Sequence, residues 1–430
     1  MKATFTYAAR YQITAICQTP LRTGGSDGDR SAVLRDGQNR AFLQGTSVAG
    51  AFRAWLEEHT SPELTERLLG SQKMTGHLIV SDALFNLDAE QYTRPRLRIN
   101  PATGDVKRKD DKGKPDNGKF DMAHIGAGAC LIFSLTWLGD REHLEELDTV
   151  EQLLAALHSG DIRLGAQKSN GFGRVALTVT KRLFDMTDPE ARQAWLDDAD
   201  DGTALELPEV MDTRRVTFTV TGQADSILIR AASNQQTDSG SYTPNLFEGG
   251  RPILPGSSVK GAVRARAESI AKAVNLDEVW LQELFGRNAD KTDNGKPGRV
   301  WFEDVRLDDN KRKITRIRIN KLTGGVVRGG LFKEEPVSSA VKLTVSAPNE
   351  PLACALLLYA LRDLGMGLYN LGSGGSIGRG YVTVHAIEAA APDGRRAMLA
   401  FDGLLACSLD DPDGLAAEWL EAWGGAVREN

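Results

Sequence analysis

FLQGTSVAGAFRAWLEE, residues 42–58, returns as ILPGSSVKGAVRARAES at residues 253–269. Both stretches read Gly-[Thr/Ser]-Ser-Val-x-Gly-Ala-x-Arg-Ala, and Gly256 follows Gly45 at an offset of 211. Outward from this pair the correspondence continues in order. Leu68–Phe85 matches Leu284–Leu307, Arg94–Val106 matches Ile314–Val326, and Leu164–Val179 matches Leu371–Val384. Four collinear matches at offsets near 205–220 make the chain a tandem repeat of one module.

The repeat sets the domain boundaries. Residues 1–184 form a first module and 213–391 a second. Residues 185–212 are an acidic linker with a short amphipathic helix at Pro189–Leu196, and 392–430 are a C-terminal extension with a helix at Gly414–Trp423. Each module opens with an alternating strand, Thr4–Ile16 or Arg215–Thr221. The hydroxyl of Gly-Thr-Ser or Gly-Ser-Ser then reads as the N-cap of a helix. A strand (His77–Leu84; Arg299–Leu307), a basic segment, a further strand, a helix (Val150–His158; Pro351–Leu364) and a Gly-rich loop before a last strand complete the module. The order β-α-β-β-α-β predicts an α+β protein of two ferredoxin-like split βαβ cores.

Composition narrows the functional classes. The 430 residues are 41% hydrophobic and 26% charged, as in a globular protein, and hold no apolar run of 18. The opening residues alternate and lack a signal-peptide block, so the expected compartment is the cytoplasm. Cys17, Cys130, Cys354 and Cys407 are scattered and read as buried apolar residues, not zinc ligands. No GxxxxGK[ST] is present, and the Gly-rich loops stand between helix and strand, so no nucleotide cofactor is expected.

The net charge of −6 conceals segregation. Lys311–Lys333 carries eight basic residues and no acid, and Arg94–Lys119 carries nine basic and four acidic residues. Asp185–Asp212 carries ten acids and one arginine. Arg94, Arg96 and Arg98 alternate, as do Arg316 and Arg318, so each set shares one strand face before a turn that begins at Asn100 or Asn320. The Gly-rich loops, with Lys168, Ser169 and Arg174 in one copy and Gly374, Gly375 and Arg379 in the other, let backbone N–H groups approach phosphates. The helix starts, with Ser47 and Arg53 or Ser257, Ser258, Lys260 and Arg264, offer free N–H groups to an anion. Asp27, Asp29 and Asp238 stand in the loops after the opening strands. A carboxylate there could bind a divalent cation beside an RNA 2′-hydroxyl or could simply form a turn.

Leu21-Arg22-Thr23-Gly24-Gly25, Pro255-Gly256-Ser257-Ser258-Val259-Lys260-Gly261, the repeated Arg-Ile-Asn-x-x-Thr-Gly and the late Gly-rich loops together resemble the RAMP superfamily of CRISPR systems, over about 380 residues. The likeness is strongest to backbone subunits of type III effectors. Two fused modules look like the double-backbone subunits of subtype III-D. The resemblance implies RRM-like cores with thumb hairpins that bind CRISPR guide RNA, kink the guide–target duplex and assemble with the large, small and other RAMP subunits. It also implies metal-dependent endoribonuclease cleavage of target RNA by a loop aspartate, with Mg2+ or Mn2+. Asp29 and Asp238 would be the metal ligands, and Asp27 a neighbouring candidate. Asp29 precedes Val33-Leu34-Arg35-Asp36 in the family layout; no such segment follows Asp238, and Gln44 and Ala49 replace the motif's Pro and Lys in the first copy. A non-catalytic scaffold, a precursor-RNA processing enzyme and a non-RNA interaction protein remain alternatives at this point.

Overall fold

A computed structural model describes residues 5–24, 32–97, 99, 118–198, 202–209, 214–231, 235–237, 240–287, 295–403 and 406–429. Along the first repeat run β1 (Tyr7–Cys17), β2 (Phe42–Leu43), α1 (Gly45–His59), α2 (Pro62–Leu69), β3 (Leu78–Val80), β4 (Ala83–Phe85), β5 (Gln91–Leu97), β6 (Lys119–Ile125), β7 (Cys130–Gly139), α3 (Glu146–Ser159) and β8 (Val175–Asp185). α4 (Pro189–Leu196) and β9 (Thr203–Ala204) follow.

The second repeat holds β10 (Arg215–Ile227), β11 (Gln235–Thr237), β12 (Gly240–Tyr242), β13 (Phe247–Glu248), β14 (Arg251–Leu254), α5 (Gly256–Ala273), α6 (Glu278–Phe285), β15 (Trp301–Phe302), β16 (Val305–Arg306), β17 (Asn310–Lys311), β18 (Ile314–Ile319), β19 (Val326–Glu334), β20 (Val337–Pro348), α7 (Pro351–Gly365) and β21 (Thr383–Ala390). β22 (Arg396–Phe401), β23 (Cys407–Asp410) and α8 (Leu415–Glu429) close the chain.

The two main sheets share one core order and differ at their edges. The first runs β2-β4-β7-β1-β8-β9 and the second β15-β20-β10-β21-β22-β23. In both, the opening strand lies antiparallel between the third and fourth strands of its β-α-β-β-α-β core. This is the ferredoxin-like order that the repeat predicts. β1 shows how the sequence specifies it: Ala9, Tyr11, Ile13, Ala15 and Cys17 alternate onto the buried face. There they join Val48, Phe52 and Leu56 of α1 and Leu153, Leu154 and Leu157 of α3. Phe52 is fully buried, and side chains of that kind each stabilise the fold by roughly 1.5–3 kcal/mol. On the other face, Ala8, Leu138 and Phe184 pack with Trp195 of α4. The C-terminal extension adds two strands to the second sheet, and Trp419 of α8 joins that core.

Two expectations about local structure are corrected. The single strands expected at His77–Leu84 and Arg299–Leu307 are each broken into a pair, β3 and β4 or β15 and β16. Asp82 and Asp304 sit in the breaks. The helix caps expected from the Thr and Ser hydroxyls are not made either: Gln44 and Pro255 occupy the cap positions, and neither gives a side-chain cap bond. The carboxylates in the strand breaks act instead, Asp82 accepting from Gly45 N and Asp304 from Gly256 N, both at 2.7 Å. Only glycine allows this approach, because a Cβ at Gly45 would meet the carbonyls of Val80 and Ser81, and one at Gly256 that of Phe302.

The chain divides into two compact units. One holds Met1–Tyr92, Met122–Lys168 and Phe172–Met211; the other holds Thr93–Asp121, Ser169–Gly171 and Asp212–Asn430. The division does not follow the repeats, since the second unit takes in the hairpin residues 93–121 and three loop residues of the first. No helix among the described residues is long and apolar enough to cross a membrane.

Candidate nucleic-acid interface

Within the second unit, α5 begins against two segments drawn from the first repeat. Arg94, on β5, places its guanidinium between two carboxylates. Nε and Nη2 donate to Glu248 at 2.6 Å each, and Nη1 and Nη2 donate to Asp304 at 3.0 and 2.6 Å. Its side chain is 2% exposed. Burial alone would lower the Arg94 guanidinium's pKa, but Asp304 and Glu248 outweigh burial and hold it above its ordinary value. Asp304 also caps the first N–H of α5, so one carboxylate ties the hairpin to the helix start. The anion expected at this helix N-terminus is therefore supplied from inside the protein, at least at its first N–H.

One turn further on, Lys260 donates from Nζ to Ser169 Oγ at 2.9 Å. Its partner is a neutral hydroxyl, and Arg264 and Arg96 stand close enough to repel its charge. Burial first, and those two arginines second, push the Lys260 ammonium down to about 8. Lys168, one residue from Ser169, is also lowered by burial. Arg264 is itself held by Glu268 Oε1 at 2.6 Å, whereas the half-buried Lys260 amine is bonded only to a neutral hydroxyl in this group and can receive a further anion.

A second cationic cluster lies at the base of the β18–β19 hairpin. Buried Glu334 accepts from Arg316 Nε at 2.9 Å and from Arg379 Nη1 at 2.6 Å, with Arg230 Nη2 at 3.5 Å. Burial would raise the Glu334 carboxyl, yet the hydrogen bonds from Arg316 and Arg379 hold it below the ordinary carboxylate range. Three guanidiniums around one carboxylate leave positive charge in excess. Arg230 is 57% exposed and Arg316 33%, whereas Arg379 is buried at 6%.

The remaining predicted residues have definite places. Arg53 donates to the carbonyls of Leu69 and Gly70, and Arg264 to that of Gly286, so each guanidinium holds the end of the following helix. Ser47, Ser257 and Ser258 lie half-buried in the first turns of α1 and α5. Arg174 is half-buried beside Gly160, and its backbone N–H donates to Thr19 Oγ1. Arg318 is exposed on β18, while Asn320 Oδ1 accepts from Leu322 N and Thr323 N and so shapes the hairpin turn. Gly374 is left-handed, at φ 90°, and Gly375 fits against Asn370. Asp27, Asp29, Asp238, Arg98 and Asn100 lie outside the described residues. Among the described residues, no group of three or more His, Cys, Asp or Glu could hold a metal ion.

Arg94, Glu248, Asp304 and Glu334 carry this geometry and were not candidates from the sequence as site residues. Their one sequence signal is the repeat itself, which places Asp82 and Asp304 at matching points before Ala83-Leu84 and Val305-Arg306.

The family comparison follows the two repeats rather than the two compact units. The family model described as "RAMP superfamily" matches residues 14–176 and 243–383. No curated protein matches the chain. Among the solved structures that match is one described as the Type III-B Cmr-beta bound to cognate target RNA. It is 14% identical with a TM-score of 0.33, and the match covers 42% of this chain and 61% of that one.

Proposed function

Because the chain belongs to the RAMP superfamily, we propose that it is a guide-RNA-binding backbone subunit of a type III CRISPR effector. It works in the cytoplasm with target RNA and the effector's other subunits, and its loop aspartates cut the target paired with the guide. The observation that carries the binding half is Lys260, a half-buried amine with a depressed pKa, bonded to Ser169 and near Arg96 and Arg264. A ribose-phosphate strand would give the Lys260 ammonium the anionic partner that the Ser169 hydroxyl does not supply. The Arg230–Arg316–Arg379 cluster over Glu334 adds a second point of excess positive charge in the same unit. Contacts of this kind hold a backbone without reading bases, which suits a subunit that must accept any guide.

The cleavage half rests on the resemblance of the Asp29 loop to the family layout and on Asp238 in the matching loop. A divalent cation, Mg2+ or Mn2+, held by those carboxylates would offset charge at the scissile phosphate. The chain's own part is to fix the guide strand so that the target's 2′-hydroxyl and phosphate come to the loop in line. The test replaces Asp27, Asp29 and Asp238 with Ala in the assembled effector. Target cutting is expected to vanish while guide RNA still co-purifies. Undiminished cutting would leave the subunit a scaffold, and a purified assembly free of RNA would overturn the binding half as well.

A further inference from the structure

The β18–β19 hairpin forms a two-stranded sheet of its own, apart from the main sheet, and Glu334 is its last residue. Glu334 is buried and gathers guanidiniums from three segments: Arg316 on β18, Arg379 on the Gly-rich loop and Arg230 just after β10. The three differ in what else they can reach. Arg379 is buried, and its Nη1 donates to Glu334 at 2.6 Å, the shortest of these bonds. Its stem lies against Gly374, where a Cβ would stand 3.1 Å from Arg379 Cδ. The glycine thus makes room for an arginine turned inward. Arg230 and Arg316 are partly exposed and keep donors toward solvent.

The structure assigns to Arg379 a positioning role rather than a phosphate contact: with Glu334 it latches the base of the β18–β19 hairpin to the Gly-rich loop, and Arg230 and Arg316 are left as the pair that faces the RNA backbone. The outward half of this assignment rests on the RNA-binding proposal; the latch does not. A buried carboxylate needs a buried cation, and Arg379 serves Glu334 in that way. The ligand of the outer pair is a polyanion, because exposed Arg318, Lys321 and Arg328 continue the positive charge along a hairpin with no acid from 311 to 333. Thr243 holds the neighbouring backbone, its N–H donating to Lys333 O and its carbonyl accepting from Glu335 N, so loss of the latch loosens the hairpin without detaching it.

Two measurements on the full chain test this. Without RNA, hydrogen exchange of the amides of residues 326–334 should rise at least about threefold in R379M, while the amides of β10 and β20 keep the wild-type rates. With a single-stranded RNA, the slope of log affinity against log salt is compared among wild type, R230M and R379M/E334Q. The double variant removes one charge of each sign, so the net charge of the cluster is unchanged. It should bind more weakly with the wild-type slope, whereas R230M should lose about 0.7–0.9 of the slope. Unchanged hairpin exchange in R379M, a loss of about 0.7–0.9 of the slope in R379M/E334Q, or a wild-type slope in R230M would overturn the assignment. A wild type that binds no RNA would sink the binding proposal, and the exchange pattern alone would then decide for or against the latch.

Discussion

Removing the Arg94 guanidinium is the sharpest perturbation the fold offers. Arg94→Ala leaves Glu248 and Asp304 nearly buried, facing each other without a cation. Truncating one partner of a buried ion pair costs about 3–5 kcal/mol, because the remaining charge keeps its desolvation penalty and loses its attraction. Here one cation serves two carboxylates through four hydrogen bonds, so the upper half of that range is expected. Part of the loss is recoverable by neutralising the acids: R94M/E248Q/D304N keeps an acceptor for Gly256 N and should return more than half of it. The assay is urea unfolding followed by tryptophan fluorescence. Trp301 stands three residues from Asp304 in the second unit and reports locally. RNA affinity should fall with stability, because the same hairpin brings Arg96 to Lys260. A loss under about 1 kcal/mol for R94A, typical of an exposed pair, would refute the reasoning.

Further outcomes follow from the same geometry. The Lys260 ammonium is depressed, so its charge is complete below about 8 and is lost as pH rises through that value. RNA affinity measured from pH 7 to 9 should therefore decline, and Lys260→Arg should flatten the decline because guanidinium does not titrate there. Asp82→Ala should destabilise the first unit by about 0.5–2 kcal/mol in urea melts through loss of the cap, whereas Asp82→Asn should cost a few tenths. Cys17 and Cys354, both pushed up to about 12 chiefly by burial, should resist alkylation in native protein at pH 8.

Much of the fold was legible because it repeats. The matching Gly-Ser starts, the alternation of Tyr7–Cys17 and the helix at Pro189–Leu196 all follow from local pattern. Long-range pairing was not legible. The cap of α1 comes from 37 residues downstream and that of α5 from 48, distances over which no local rule operates. The basic run Lys311–Lys333 ends one residue before Glu334, the carboxylate on which Arg316 and Arg379 converge, so the acid that organises the cluster fell just outside the stretch that announced it. Arg94 reads as one of three alternating surface arginines, yet it is an internal ion-pair partner. A strand's period sets which face a side chain takes, but only the tertiary fold decides whether that face meets solvent or a carboxylate.

The most direct check is the salt dependence of RNA binding by the purified chain, measured for wild type and for K260M. A cation removed from a phosphate should make the slope of log affinity against log salt shallower by about 0.7–0.9, and K260M should show that reduction with weaker binding to every sequence alike. An affinity indifferent to salt, or one slope shared by both proteins, would contradict the claim that this half-buried lysine grips an RNA backbone.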